Sequence, residues 1–591
     1  MAKGDDKLVE KFRDWFDADT QTRNQDWRTR GWESVKFYAG QQWDAEVVQE
    51  LAKDNRPALT INKVMPTVHV PCGYQRRNRS EVRLFARKGG TEPIARLGTE
   101  LIKHAIDSSS GHFEISDVFR DGLVTGMGFL AVDVVFEDDP VNGDVIVSRV
   151  SPFDVVGDEL NFETDLDKGN HLFRMRWVER DWAKAMYPKV TKAKWLDMDN
   201  AESWDEAAVP DDRDEDTYAA LESLGIGRGS KLEEARDKRQ YRFVDIWWKT
   251  PHNVVLAIGV GEDGAPLVIR TKDDKEAAKL EGEGARLVPR VIQVLNKAVL
   301  SGDMILEQTV DPFKGINRFP VMRYSPFAVE GLPLGIVDNI KDPQRELNKR
   351  RSQALHHLNM VAHSGWDANN LGPTALKNLE DFGTKPGAII DTTGGTLKPI
   401  TPQPLSTGHI TMSELAARDM EEISGVNPDL TGTNPSSNES GRARLIRQEA
   451  GLMVTQIAFD NFNRTLEKMG SFAWDLIRRS EIYSDEEIQA ILQEDTLQHF
   501  TDEQGNNADF SAMRDWRNSN YGVRVERSPH SPTAKSETSE EMLRMREAGI
   551  GIPDDLVVEA SELPNKEKVI QRIREVQQAA LQAAQAQGAK Q

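Results

Sequence analysis

Apolar residues repeat along this chain at two periods, and the period decides which element each stretch predicts. Over 440–480, Leu445, Leu452, Phe459, Leu466 and Ala473 fall seven apart, with Phe462, Met469 and Leu476 in the same stripe. That spacing predicts a helix from Ser440 to Ser480, and ~40 residues at about 1.5 Å each make a rod of roughly 60 Å. Such a length exceeds the usual helix of a compact domain. Ile340, Leu347, Ala354 and Val361 keep the same step with Leu358 beside them, a narrow seam that faces one other helix. Asp342 is placed to cap that helix with Pro343 in its first turn, where a missing N–H costs nothing. A second, shorter helix carries Met412, Ala416, Met420 and Ile423 on one face and ends at Gly425. Between the two lies "NLEDFGTKPGAIIDTTGGTLKPITPQPLS", which predicts a short helix followed by strand, turn and strand, a small βαβ-like insert. Two helices flanking an insert describe a stalk with a tip.

Elsewhere the period is two. "GFLAVDVVFEDDPVNGDVIVSRVSP" has β-branched runs on either side of Asn142-Gly143, a strong hairpin signal. "HLFRMRWV", "YRFVDIWWK", "NVVLAIGV" and "RVIQVLNKAVLSGDMILEQ" add further strands, so the middle of the chain predicts antiparallel sheets. The fold class is therefore α+β, mainly helical. Upstream, Trp15, Phe16, Trp27, Trp32, Phe37, Tyr38 and Trp43 crowd a helical N-terminal arm, placed to pin it onto the body or onto a neighbouring subunit. The acidic stretch "DMDNAESWDEAAVPDDRDED" predicts a solvated surface segment. The C-terminal part begins with the strand "YGVRVER" and turns helical. Its last stripe, Val569, Ile573, Val576, Ala580 and Ala583, fits either self-association or simple docking.

Composition changes this picture in three ways. At 591 residues the chain exceeds one hydrophobic core, and 38% apolar with 29% charged residues is a globular balance. The single Cys72 allows no internal disulfide and no multi-cysteine zinc site, and the N-terminus lacks a signal peptide's apolar core, so maturation in a cytoplasm is expected. No stretch approaches the ~18 apolar residues of a bilayer span. The formal net charge is −21. Proteins that grip DNA by its phosphates are basic, so contact with DNA would be weak and local; the same charge also serves simple solubility. Arg76, Arg77, Arg79, Arg83, Arg87 and Lys88 form either a solvated face or a phosphate-facing surface.

Catalytic patterns are missing. There is no Walker motif, "GIGRGSKL" having the wrong spacing, and "DFG" at Asp381 has no companion catalytic loop. His356 and His363 lie about 10.5 Å apart along a helix, too far to share a zinc. "ETDLDKGNH" lacks the full ligand set of a calcium loop. No catalytic residue, metal or cofactor is expected, although a nuclease-like carboxylate cluster is not distinguishable in so acidic a chain.

What remains is "LTGTNPSSNESGRAR", a polar loop without an aliphatic side chain from Thr431 to Gly441, leading into the long helix. Together with "FYAGQQWD", "RPALTINKV", "VSPFDVVGD", "FPVMRYSPFAVEGLPLGIVDNIKDPQRELNKRRSQALHHLN" and "SGVNPDLTG", in that order, the chain resembles the portal proteins of tailed bacteriophages, the short-tailed branch in particular. The resemblance implies a wing from 1–62 (helical arm) and 63–333 (α+β body), a first stem helix at 334–365, a clip at 366–407 and a second stem helix at 408–426. It further implies a tunnel loop and long wing helix at 427–510, and a crown with a C-terminal helix at 511–591. About 25 residues follow Pro564, so a long C-terminal barrel is not expected.

By the same resemblance the protein would form a ring, usually of twelve subunits, at one capsid vertex. Double-stranded DNA would pass through it, driven by a separate terminase, and tail or adaptor proteins would dock at its tip, with capsid and scaffolding proteins around it. The DNA-channel residues would be Thr433, Asn434, Ser436, Ser437, Asn438, Arg442 and Arg444 in the tunnel loop, and Lys341, Arg345, Lys349 and Arg350 in the stem; Arg345, Lys349 and Arg350 could instead pair with acidic neighbours between subunits. A polar loop exchanges hydrogen bonds with passing phosphate or water at about 1 kcal/mol each, so it would guide a duplex without holding it. A metal-dependent nucleic-acid-processing enzyme, or another structural virion protein such as an adaptor or scaffold, is the alternative.

Overall fold

A computed structural model describes residues 3–21, 23–136, 143–191, 239–260, 266–271, 284–362, 366–382, 394–400, 407–426, 441–480, 482–500, 509–516, 519–527 and 532–547, with a few isolated positions such as Trp195 and Trp204. The chain opens with helices α1 (Lys3–Gln21), α2 (Arg23–Ala39), α3 (Ala45–Lys53) and α4 (Val64–Arg77). Strand β1 (Ser80–Ala86), helices α5 (Glu92–Ser108) and α6 (Gly111–Thr125), and strands β2 (Gly128–Val135), β3 (Asp144–Val150), β4 (Val155–Gly157) and β5 (His171–Glu179) come after them. Next are α7 (Arg180–Met186), β6 (Gln240–Val260), β7 (Pro266–Thr271), β8 (Arg286–Ser301), β9 (Met304–Val310), β10 (Val321–Tyr324), β11 (Phe327–Val329) and β12 (Leu332–Leu334). The rest comprises α8 (Ile336–Ala362), β13 (Trp366–Asn369), α9 (Pro373–Phe382), β14 (Thr396–Pro399), α10 (Thr407–Ser424), α11 (Gly441–Ser480), four further helices among the described residues and β15 (Tyr521–Arg527).

The α+β class is as expected, and every strand pair among the described residues is antiparallel. The hairpin β2–β3 pairs Phe129 with Val150 through Val135 with Asp144, and Gly143 supplies the left-handed φ of +77° that its turn needs. The largest sheet runs β4-β5-β6-β8-β9, with β7 also on β6. "YRFVDIWWK" and "NVVLAIGV" are one strand rather than two. Pro251 is tolerated inside it because β5 ends opposite Trp248 and β7 begins opposite Val255, leaving a local edge where no N–H is required.

The main core lies where α5, α6, β2 and β3 meet α11. Leu97, Leu101, Phe119, Leu123, Leu130, Phe462, Met469 and Phe472 are sealed from solvent there. Leu466, Ala473 and Leu476 are buried as the seven-residue repeat predicts, so the long helix is held along its second half by the body. The aromatic arm packs on its own chain: Phe16 meets Phe173 edge-on at 5.4 Å, Phe12 meets Trp248 at 4.9 Å, and Trp27 Nε1 donates to the Thr125 carbonyl at 2.8 Å. The acidic stretch lies outside the described residues except for Trp204, which is buried against Phe16 and is not the solvated position expected. No helix among the described residues is long and apolar enough to cross a membrane.

Two predicted elements are built differently. Helix α8 starts at Ile336, not at Asp342, and Pro343 lies inside it. The start is fixed by Asp338, whose carboxylate accepts the Gly335 N–H at 2.9 Å, the return bond of a capping box. In the tip a further strand, β13, precedes α9 and pairs antiparallel with β14, Trp366 with Pro399 and Asn369 with Thr396, which gives the expected βαβ-like order, while residues 383–391 after α9 lie outside the described residues.

Candidate functional site

The pairing of β13 with β14 ties the C-terminal end of α8 to the N-terminal end of α10, so the two helices run antiparallel and carry the tip at one end. Their other ends share the core: Ile340 and Leu347 on α8, Ala416 and Met420 on α10 are buried together. Gly425, at φ +71°, closes α10 as expected. Toward the tip the apolar stripe continues without cover. Leu358 and Val361 on α8, and Ile410, Met412 and Leu415 on α10, are all exposed. The seam read from the sequence is thus half core and half bare surface, and Met412 belongs to the bare half; Ile423 is also exposed, but beyond Met420 at the core end of α10.

The predicted stem cations fall into two groups. Lys341 is 5% exposed, and its Nζ donates to Glu33 at 2.8 Å and to the Arg30 carbonyl at 3.0 Å, with Asp338 at 3.2 Å. Arg345 pairs with Glu33 and with Asp342 at 2.9 Å. Burial pushes Glu33 up, but the hydrogen bond and charge of Lys341 and the charge of Arg345 outweigh it and hold the carboxyl below the usual range. These two cations clamp α8 to α2 within one chain. Arg350 lies 3.4 Å from Glu346 one turn away, and Lys349 is exposed. In the loop, Thr433, Asn434, Ser436, Ser437 and Asn438 lie outside the described residues, while Arg442 and Arg444 occupy the first turn of α11.

Two members of the basic cluster that begins at the end of α4 pair with carboxylates, and two more lie over aromatic rings. Arg76 pairs with Asp117 at 3.1 Å, Arg83 with Glu81 at 2.9 Å, and Arg79 and Arg87 lie over Phe113 and Phe85. Cys72 is no nucleophile, because burial pushes its thiol up to about 12. The carboxylates of "ETDLDKGNH" serve packing: Asp165 pairs with Lys468 at 2.9 Å, and Asp167 accepts the Phe319 N–H at 2.8 Å.

One ligand-like group was not signalled by the sequence, since its members lie on three separate elements. Asp19, Asp158 and His171 offer donor atoms within 4.8 Å of one another. Yet His171 Nε2 is only 2.6 Å from Asp19 Oδ2, whereas two ligands on one zinc-like ion stand about 3.2 Å apart. Nδ1 of the same ring is buried with no acceptor for the proton it would carry if Nε2 bound an ion. The remaining Asp oxygens take the N–H groups of Glu159, Leu160 and Asn170 at 2.9–3.0 Å. The arrangement holds a proton, and it fastens α1 to the sheet with Trp15 stacked on the imidazole at 4.4 Å.

A family model described as "Phage P22-like portal protein" matches residues 13–591. Among solved structures, a chain of the "Neck of empty GTA particle computed with C6 symmetry" aligns at 13% identity over 53% of this chain and 74% of that one, with a TM-score of 0.26. A chain from the "Virion of native gene transfer agent (GTA) particle" aligns at 13% identity over 53% and 76%, with a TM-score of 0.25. At such scores neither likeness bears on the fold or the role of this chain. No curated protein matches the sequence.

Proposed function

The chain belongs to the phage P22-like portal protein family, and from that premise we propose that it is a structural component of a virion, closing with copies of itself into a ring at one capsid vertex. The ring, of twelve subunits in this reading, is a passive conduit for double-stranded DNA during packaging and ejection. A terminase docks on it during filling, and tail or adaptor proteins dock on it afterwards. The α+β body with its arm is the wing, α8 and α10 are the stem, the module from β13 to β14 is the clip, and α11 is the wing helix. The loop before α11 is the tunnel loop, and the C-terminal segment is the crown.

The observation that carries this is the family match along nearly the whole chain. The helix pair supports it, because the bare stripe on α8 and α10 is a surface that a lone subunit leaves wet and a ring of copies covers. In this reading Lys349 and Arg350 are the stem cations that face the channel, since Lys341 and Arg345 pair with Glu33 inside the subunit.

Class-averaged images of purified protein along the particle axis test the reading. Closed annuli with an axial hole are expected; a species that stays monomeric at high concentration overturns it. Incubation of DNA with the protein and magnesium or manganese separates the conduit from a nuclease, and intact DNA is the expected outcome.

A further inference from the structure

Residues 56–63, of "RPALTINKV", cross α8 without regular structure just before α4, and the helix reads them through side chains spaced one turn apart. Ser352 Oγ accepts the Leu59 N–H at 2.9 Å, Asn348 Oδ1 the Ile61 N–H at 2.9 Å, and Gln344 Oε1 the Lys63 N–H at 3.1 Å. Four helical residues rise about 6.0 Å, a distance that two residues of non-helical chain can span, so helix and segment run antiparallel and stay in step over three rungs. The rungs are dry: Gln344, Asn348 and Ser352 are 0%, 1% and 5% exposed. They are also satisfied. Gln344 Nε2 donates to the Ile61 carbonyl at 2.8 Å, and Asn348 Nδ2 donates to Gln42 Oε1 at 2.6 Å. Gln42 Nε2 donates in turn to the Phe37 carbonyl at 2.9 Å, and Asn62 Nδ2 to the Tyr38 carbonyl at 2.9 Å, which brings in α2.

We propose that this ladder is a register lock, which makes the N-terminal arm and the helix Ile336–Ala362 a single mechanical piece. Three features admit one register. Ser, Asn and Gln lengthen by one bond per rung, so a slip of one turn puts each acceptor out of reach or into a clash. The next acceptor position toward the N-terminus is Ile340, which has none, and the next donor position beyond Leu59 is Pro57, which has no N–H. Buried polar groups left unpaired by a slip are costly, so the rungs hold together or fail together. An axial displacement of α8 therefore carries the arm with it instead of being absorbed at this contact. The lock rests on the geometry of one chain and is independent of the conduit reading.

Hydrogen exchange on the assembled full-length protein, resolved to single amides by fragmentation, tests it. The amides of Leu59, Ile61 and Lys63 are expected to be slow, and those of Ala58 and Thr60 faster. In Asn348→Leu all three slow amides should exchange at least tenfold faster together, while strands β6 and β8 keep their protection. In the milder Ser352→Ala, faster exchange should spread from Leu59 to Ile61 and Lys63 together. Loss confined to the amide opposite the altered side chain, or no loss in Ser352→Ala, overturns the lock.

Discussion

At the scale of single residues, the contacts that fix α11 and α8 make sharp demands. A Cβ at Gly98 would stand 2.8 Å from Cζ3 of the buried Trp474, so α5 and the long helix touch only because that side chain is missing. Gly98→Ala is expected to destabilise by about 1–3 kcal/mol, the usual range for overpacking. Thermal unfolding checks this, and an unchanged midpoint would show that the ring can move aside. Lys341 answers to a different term. Lys341→Met removes the closest cation from a buried Asp338 carboxylate, and breaking such a pair costs about 3–5 kcal/mol; with Arg30 still 3.7 Å from Asp338, the lower end is expected. Glu33 sets the acid limit of the same clamp. Its folded carboxyl titrates below the unfolded value of about 4.3, so its contribution is complete above that pH and is lost as pH falls through the folded value. Between about pH 6 and pH 3.5 the denaturation midpoint of Glu33→Gln should therefore drop less than that of the unaltered protein. Equal drops would mean that the clamp is not acid-sensitive.

At the scale of elements, the helix pair divides apolar positions by what a single chain can cover. Leu347→Ala, inside the shared core, should cost about 2–5 kcal/mol. Leu358→Ser and Val361→Ser, on the bare half of the same helix, should change folding by no more than ~0.5 kcal/mol and instead weaken assembly, read by light scattering against circular dichroism. An equal loss of fold at all three positions would place the bare stripe in the core of one subunit. The same contrast explains what the sequence disclosed. Period alone was enough for α11, β2–β3, β5 and β15, because each buries a continuous stripe or alternating face. It failed where a distant partner decides. Nothing in "SEVRLFA" announces that it pairs with Tyr521–Arg527 far along the chain, and Pro251 has the look of a strand end unless its local edge is known. Asp342-Pro343 has the chemistry of a helix start, but the chain enters the helix about two turns earlier, where the Asp338 carboxylate accepts the Gly335 N–H. Asp19 and His171 likewise meet only through the fold. Of the candidate site, the polar loop lies outside the described residues, and that Lys341 turns inward was not readable, since a partner as distant in sequence as Glu33 leaves no periodic mark.

At the scale of the whole molecule, the proposed conduit raises the question of how so acidic a protein would meet DNA. Each chain carries a formal −21, so assembled copies present a repelling background against which only local cations attract. Duplex affinity should then be weak, and its dependence on salt shallow, because few counterions are displaced by few phosphate contacts. Replacing Asn434, Ser436, Ser437 and Asn438 by lysine would add four cations to every copy of the loop before α11. If these loops converge on a common channel, the added cations meet one duplex together, and the log–log salt slope should steepen by about 0.9 for each new contact. Anisotropy of a labelled duplex titrated at several salt concentrations measures this on the assembled protein. Packaging or ejection should slow in the same variant, since a duplex held by several contacts cannot slide freely. If the slope steepens while DNA movement is unaffected, the loops touch DNA without controlling its passage. If the slope is unchanged with assembly intact, the loops do not face the duplex, and the guiding role passes to Lys349 and Arg350 on the helix pair.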